Sequence, residues 1–243
     1  VLAYLIDHLL VGIAHRGADG WSRVDDLFRS PPESTEQVMH PEKYAQREHP
    51  VRISSGPLPT LASTGRKEVH RDVMGELVWK IWFGSAMAES QAETAAAGWG
   101  GDRMVAYEGP GDDKPIVVSL SAWDSDSDAD EAEAAARRTV AALAPLPAKD
   151  AAKEAAAPKP PRGVPFFRQR GNQVYGLVRR DRLMAVVLGV PKGAEQSIIE
   201  ETFRNFHIAW PPVSVTPPAA VPATTPTSPA GTPGTGNGSR PAP

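Results

Sequence analysis

Cysteine is missing from the sequence, and this absence removes several kinds of chemistry. Without thiols the chain can form no disulfide, no thiolate zinc site and no cysteine nucleophile. The absence fits a reducing as well as an oxidising compartment, so it leaves the localisation open. An excess of one charge is missing as well, because 26 basic residues stand against 29 acidic ones. This balance gives no electrostatic reason to expect a nucleic acid or an anionic membrane as partner.

Long apolar runs are the third absence. No stretch approaches the roughly 18–20 uninterrupted apolar residues of a membrane-spanning helix. The opening residues 1–11 contain Asp7 and His8 and lack a basic leader, so they do not have the form of a signal peptide. Their leucines and isoleucines repeat at helical spacing. We therefore expect a helix that belongs partway through a larger protein, with any targeting signal in the preceding part.

Proline and glycine are abundant, with 25 and 21 residues, but they are unevenly distributed and divide the chain into ordered and disordered parts. We predict a helical region leading into the first strands and a helix at 1–144, and an Ala/Lys/Pro linker at 145–161. A hairpin, a strand and a closing helix at 162–210 are expected to complete the sheet. Residues 211–243 are predicted to be a disordered Pro/Thr-rich tail.

The spacing of apolar residues predicts the individual elements, because it changes from a helical to a strand period near residue 100. Helices are predicted at 2–13, 22–28, 73–83, 86–97, 129–143 and 194–206, and strands at 104–107, 116–123, 166–169, 174–178 and 183–190. A helical N-terminal part followed by a small, mostly antiparallel sheet with two helices is an α+β arrangement.

Local signals mark several of these elements. Ser22 and Asp72 are expected to cap their helices, and Ser34 with Gln37 has the form of a capping box. Pro41 should keep the helix after Ser34 short. The helix at 73–83 is apolar almost all round, which predicts a position inside the core.

Four alternating aspartates, Asp124, Asp126, Asp128 and Asp130, are the first candidate site. Such a pattern can hold calcium, but a helical-hand loop starting at Asp124 would need glycine at position 129 and glutamate at position 135. Both positions are alanine. We therefore interpret the aspartates as an acidic first turn that complements the dipole of the following helix.

The six histidines do not form a peptidase zinc motif, which needs two histidines four residues apart on a helix. His8 and His15 are seven apart, and two ligands without a third are a weak indication of a metal. Gly-x-Ser-x-Gly and the phosphate-binding Gly-x-x-x-x-Gly-Lys are absent too. We expect no metal ligand, cofactor-binding residue or catalytic residue in this chain.

The glycine-rich segment 98–103 follows a predicted helix and precedes a strand, which is the reverse of a phosphate cradle. We interpret Gly98 as a helix end and Trp99 as a buried anchor, while Asp102 and Arg103 remain candidates for a ligand contact. His40, Glu42 and Tyr44 lie within five residues of each other. They can form the rim of a site or a polar latch that ties down a loop, and the latch is the simpler interpretation.

Glu76 lies in the most apolar helix, four residues before Lys80. A salt bridge between these two side chains is the default expectation. A buried carboxylate with a raised pKa is the alternative.

Taken as an ordered set, these motifs resemble a known family. The segments are Gly-Trp at 20–21, Pro-Pro-Glu-Ser-Thr-Glu-Gln-Val-Met-His-Pro-Glu-Lys-Tyr at 31–44, Gly-Glu at 75–76, Gly-Trp-Gly-Gly-Asp-Arg at 98–103 and Trp-Asp at 123–124. Their order and spacing over about residues 1–140 resemble a family of largely uncharacterised bacterial proteins grouped as zincin-like metallopeptidases.

The resemblance implies a zinc site on an upstream His-Glu-x-x-His helix that is not in this chain. It also implies a peptide as substrate and the upstream segment of the same protein as a partner. The positions that match the family's signatures are His40, Glu42, Tyr44, Glu76, Asp102 and Arg103. They are candidates to line a substrate cleft or to position a group within it.

Three functional hypotheses follow from the sequence. The first is the non-metal-binding C-terminal portion of a zincin-like peptidase, inactive by itself. The second is a binding or scaffold module of the cell envelope, tethered by its Pro/Thr-rich tail. The third is an enzyme that uses Glu76 or His40 as general base on a non-peptide substrate, for which the sequence offers no partner constellation.

Overall fold

A six-stranded antiparallel sheet forms the centre of the fold in the computed structural model, which describes residues 11, 12, 15, 19–110, 114–156, 161 and 163–211. The strands are β1 (Arg52–Ser54), β2 (Lys67–Asp72), β3 (Trp99–Glu108), β4 (Ile116–Trp123), β5 (Phe166–Arg170), β6 (Gln173–Arg180), β7 (Leu183–Pro191) and β8 (His207–Ala209). The order across the sheet is β2-β3-β4-β7-β6-β5, and β1 pairs with β8 in a separate antiparallel ribbon.

Helices cover this sheet and its N-terminal side. They are α1 (Gly20–Arg29), α2 (Thr35–Met39), α3 (Pro41–Ala45), α4 (Pro59–Ala62), α5 (Gly75–Gly84), α6 (Glu89–Ala96), α7 (Asp126–Leu143), α8 (Ala148–Ala155) and α9 (Glu195–Asn205). The arrangement is α+β, with a helical first part and a mostly antiparallel sheet, as the sequence predicts. Among the described residues, no helix combines the length and apolarity that a membrane crossing requires.

The central strands are buried on both faces, so their side chains alternate between two cores. In β4, Val118 and Leu120 pack with Ile198 of α9. Trp123 points to the other face and packs with Trp79 and Phe83 of α5 and with the alanines of α7. Small side chains let α7 lie close to the sheet, which explains why this helix can be rich in alanine and still belong to the core.

Most elements of the sheet were predictable from local signals. The hairpin of β5 and β6 turns at Gly171, whose positive φ of 61° glycine adopts at little cost. Strands β4 and β7 and helices α7 and α9 lie within a few residues of their predicted bounds. The predicted helix at 2–13 lies outside the described residues except for Val11 and Gly12, and the predicted tail at 211–243 lies outside them except for Pro211.

Other predictions were wrong in detail. Residues 67–72 form the edge strand β2, where no strand was predicted, and α5 begins at Gly75 instead of after a cap at Asp72. All six residues of β2 are exposed, so no apolar alternation marks the strand. Ser22 lies inside α1, which has no side-chain cap. The predicted linker at 145–161 contains α8.

Helix α5 is less buried than its apolar sequence predicts. Trp79 and Phe83 lie in the core, but Val78 and Ile81 are exposed by 42% and 52%. Contacts among the described residues therefore do not explain why α5 carries apolar side chains on nearly all of its sides.

The crossing of β1 and β3 gives the first testable prediction. The Val51 amide donates to the Gly100 carbonyl at 2.7 Å, and a Cβ at Gly101 would overlap the Val51 carbonyl group. Gly101→Ala is therefore expected to lower the free energy of unfolding by about 1–3 kcal/mol, measured by urea denaturation.

Gly84→Ala is the matched control, because its new methyl would lie 3.8 Å from the Ala92 Cβ, an ordinary contact. It should leave the stability unchanged or raise it slightly. Equal stabilities of Gly101→Ala and the unchanged protein would show that β1 does not need this close approach.

Candidate functional site

Helices α2 and α3 form a short pair that carries the first group of motif residues. Ser34 Oγ accepts from the Gln37 amide at 3.2 Å, which confirms the predicted start of α2. The Gln37 side chain differs from the capping-box prediction, because it accepts from the Glu33 amide at 2.7 Å and not from Ser34. Pro41 begins α3 directly, so His40 lies at the junction of the two helices.

Lys43 is the centre of an acidic cluster that the sequence did not indicate. Its Nζ lies 2.5 Å from a Glu36 carboxylate oxygen, 2.8 Å from Asp124 and 3.4 Å from Glu48. The contact with Asp124 joins residues 81 positions apart and fastens α3 to the end of β4. Spacing along the chain gives no signal for such a pair.

The three carboxylates around Lys43 are also the one group of three metal-ligand side chains within 4.8 Å of each other that the described residues provide. Oxygen donors of this kind suit hard cations such as calcium or magnesium rather than zinc. The Lys43 ammonium contacts all three, so a side-chain cation already takes the place that a metal ion would need. We therefore interpret the group as an ion-pair cluster.

The carboxylates around Lys43 are partly buried, and burial raises the pKa values of two of them. Burial raises the pKa of Glu36 to about 8, although the hydrogen bond from Lys43 opposes the shift. Burial raises the pKa of Asp124 as well. Burial lowers the pKa of Lys43, but its contacts with Asp124 and Glu36 outweigh this and leave that pKa raised.

His40 and Glu76 form the second part of the site. His40 Nε2 lies 2.8 Å from Glu76 Oε1, and the Glu76 side chain is fully buried at the start of α5. The imidazole is 26% exposed, and its Nδ1 lies 3.6 Å from the exposed carboxylate of Glu42. The other Glu76 oxygen, Oε2, has no hydrogen-bond partner among the described residues. A buried carboxylate thus holds one ring nitrogen while the other side of the ring is open.

The expected salt bridge between Glu76 and Lys80 does not form. Lys80 Nζ lies 3.4 Å from Glu93 and 3.9 Å from Glu89 instead. Burial raises the pKa of Glu76, opposed by the hydrogen bond from His40. This agrees with the alternative interpretation of Glu76 as a buried carboxylate.

Asp102 is fully enclosed and accepts four hydrogen bonds. Its Oδ1 accepts from the Met74 amide at 2.8 Å. Its Oδ2 accepts from the Gly75 amide at 2.9 Å and from the Trp99 and Trp79 indoles at 2.7 and 3.1 Å. Burial raises the pKa of Asp102, and these four donors oppose the shift. Both oxygens accept hydrogen bonds within the protein, and these bonds position the start of α5.

Tyr44 and Arg103 are separate from the His40–Glu76 pair. The Tyr44 hydroxyl donates to the Ser30 carbonyl at 2.6 Å, which ties α3 to the end of α1 as a latch would. Arg103 Nε donates to the Ile53 carbonyl at 2.9 Å, on the side of β3 that faces β1. The structure thus brings together His40, Glu42 and Glu76 from the six sequence candidates, with Asp102 fixing the helix end beside them.

The alternating aspartates serve two purposes, of which the sequence predicted one. Ser125 caps α7 by accepting from the Asp128 amide at 3.2 Å, in agreement with an acidic first turn. Asp126 and Asp130 also pair with the buried Arg179 of β6, which the sequence analysis did not single out. Strand alternation could have found it, because Arg179 shares a face with Leu177, which is packed against α7.

The fold and site define an α+β domain whose sequence motifs meet at the junction of a helical region and an antiparallel sheet. A family model described as a domain of unknown function (DUF8575) matches residues 61–198, from α4 to α9. This segment is more than half of the chain, and the chain belongs to that family. No curated protein and no solved structure matches the sequence.

The pKa of Glu36 gives the second prediction. At about 8 in the folded protein it lies above the ordinary value of 4.5, so the unfolded chain loses this proton first as the pH rises. The associated stability is present in full below the ordinary pKa and is lost as the pH rises towards the folded value, by up to about 1.4 kcal/mol per pH unit. Glu36→Gln removes this loss, so the variant should gain stability relative to the unchanged protein between about pH 5 and pH 8.

Urea denaturation at several pH values in this range measures the difference. Glu131→Gln, at an exposed position of α7, is the matched control and should give a curve parallel to that of the unchanged protein. Parallel curves for Glu36→Gln as well would mean that Glu36 is ionised throughout this range.

Proposed function

We propose that this chain is the non-metal-binding portion of a zincin-like peptidase, and that its motif residues support and line the substrate cleft. The first support is the ordered set of motifs that resembles this family. The second is the way in which these motifs meet: the segment at 31–44, the Gly-Glu pair at 75–76 and the Trp-Asp pair at 123–124 are linked by direct side-chain contacts. Residues that serve one cleft are expected to converge in this manner.

The pair of His40 and Glu76 is the observation that carries the proposal. A partly exposed imidazole held by a fully buried carboxylate has a fixed orientation and a fixed tautomer. Such a group can exchange a proton with a bound substrate at its open nitrogen, and the neighbouring Glu42 can hold a polar part of that substrate. A polar latch alone would not need a buried carboxylate with an unpaired oxygen behind the ring.

Zinc is implied by the proposed relationship, but the described residues do not fit it. Peptidase zinc sites use two histidines and a carboxylate, or a similar nitrogen-rich set. The three carboxylates around Lys43 supply oxygen only and are already neutralised in part by an ammonium. In the proposed relationship, zinc therefore belongs to the upstream segment and not to the described residues of this chain.

The exposed apolar side chains of α5 fit the same proposal. Val78 and Ile81 are exposed by 42% and 52% although α5 is the most apolar of the described helices. The upstream segment of the same protein is the partner that the proposal provides for this surface. Its contact would remove these side chains from water and place α5, with Glu76 at its start, beside the metal-binding helix.

The third prediction tests the proposal directly. The coding sequence preceding Val1 in frame is expected to encode a His-Glu-x-x-His helix, and the longer protein is expected to bind zinc and cleave peptides. In that protein His40→Ala should lower kcat by about 10²–10⁴-fold, as the loss of a proton-transfer group does. Glu76→Gln should lower kcat by about 10–100-fold, because the ring would lose its orientation.

Zinc content and unfolding temperature are measured on the same samples, so that a loss of fold or metal is distinguished from a loss of chemistry. His70→Ala is the matched control, since His70 is an exposed residue of the edge strand β2. Full peptidase activity of the His40→Ala protein, or a longer protein without zinc and without cleavage, would contradict the proposal.

A further inference from the structure

A groove of about 560 Å³ lies between β3, the ribbon of β1 and β8, and the residues just before α5. Its size is within the range of small-molecule sites. The walls are mainly apolar and include Val51, Ile53, Val73 and Ile208. His40 and Glu76 do not line it, so it is separate from the pair on which the proposed function depends.

Arg103 lines this groove and has no carboxylate partner among the described residues. Its Nε donates to the Ile53 carbonyl at 2.9 Å, and no carboxylate among the described residues pairs with its two terminal nitrogens. Glu33, which also lines the groove, is occupied by His49 at 2.8 Å and Arg52 at 3.2 Å. Asp102 is occupied by its four internal donors.

A half-buried guanidinium with free donors is a feature that folding alone does not favour, since it is partly removed from water without a counter-charge. The contact of Nε with Ile53 fixes the plane of the guanidinium and leaves its outer edge available. A planar fork of this kind matches a carboxylate, which it can bind through two parallel hydrogen bonds.

The surroundings restrict the anion further. Two carboxylates, Glu33 and Asp102, line the same groove, and their charge disfavours a doubly charged group such as a phosphate monoester more than a singly charged carboxylate. The apolar walls favour a ligand with an apolar body next to its charge. Both features are combined in a monocarboxylate such as the C-terminal residue of a peptide with an apolar side chain.

We propose that this groove binds a carboxylate that carries an apolar side chain, with Arg103 as the anion-binding residue. The inference goes beyond the proposed peptidase relationship and does not depend on it, because binding needs neither a metal nor an upstream segment. The chain can therefore be tested as it is.

The fourth prediction uses acetyl-leucine as probe and acetyl-leucine amide as its uncharged counterpart, in calorimetric or NMR titrations of the full chain. The acid is expected to bind at least about tenfold more tightly than the amide, since only the acid can pair with Arg103. Arg103→Gln should abolish this preference. Arg103→Lys should weaken binding of the acid by about tenfold, because an ammonium keeps the charge but not the fork.

Arg138→Gln, at an exposed position of α7, is the matched control and should leave binding unchanged. A tripeptide that ends in leucine distinguishes the sources of the ligand: tighter binding than acetyl-leucine indicates a chain end, and equal binding a small acid. Equal affinities of acid and amide for the unchanged protein, or no binding at about 20 mM probe, would overturn the inference whatever the stability of the variants.

Discussion

The carboxylate of Asp102 is the interaction on which the rest of the site depends. It lies fully enclosed between β3 and α5, where an unpaired carboxylate would be very unfavourable. Two backbone amides at the start of α5 and two tryptophan indoles supply donors for both of its oxygens. The helix cannot shift or rotate without leaving part of this charge without a donor. Asp102 therefore fixes both the position of α5 and the direction in which its first residues point.

The position of α5 then determines the contacts of α2 and α3. Gly75 has a φ of 69°, and a Cβ there would overlap the Thr35 hydroxyl, so only glycine lets the two helices approach this closely. The Leu77 amide donates to that hydroxyl at 3.3 Å. Glu76, between these two residues, is thereby placed under His40. The Gly-Glu motif and the Gly-Trp-Gly-Gly-Asp-Arg motif are thus parts of one arrangement.

Sequence reasoning succeeded where a feature is local and failed where it depends on distant residues. The hairpin of β5 and β6 and the acidic first turn of α7 depend on neighbouring residues, and both were predicted. Strand β2 was missed because an exposed edge strand carries no apolar alternation. The pairing of Glu76 with Lys80 was expected from helix spacing, but burial turned Glu76 towards His40, 36 residues away. The candidate residues were identified by motif, whereas their grouping required the fold.

The ion-pair cluster around Lys43 explains why this chain keeps an excess of carboxylates next to the site. Lys43 lies three residues after His40, so the contact with Asp124 that anchors α3 to the sheet also anchors the imidazole. Burial raises the pKa of Glu36 to about 8, so near neutral pH the cluster carries less negative charge than three ionised carboxylates would. Ionisation of Glu36 at higher pH strengthens its contact with Lys43, whereas the cost of burying the added charge lowers the stability of the folded chain.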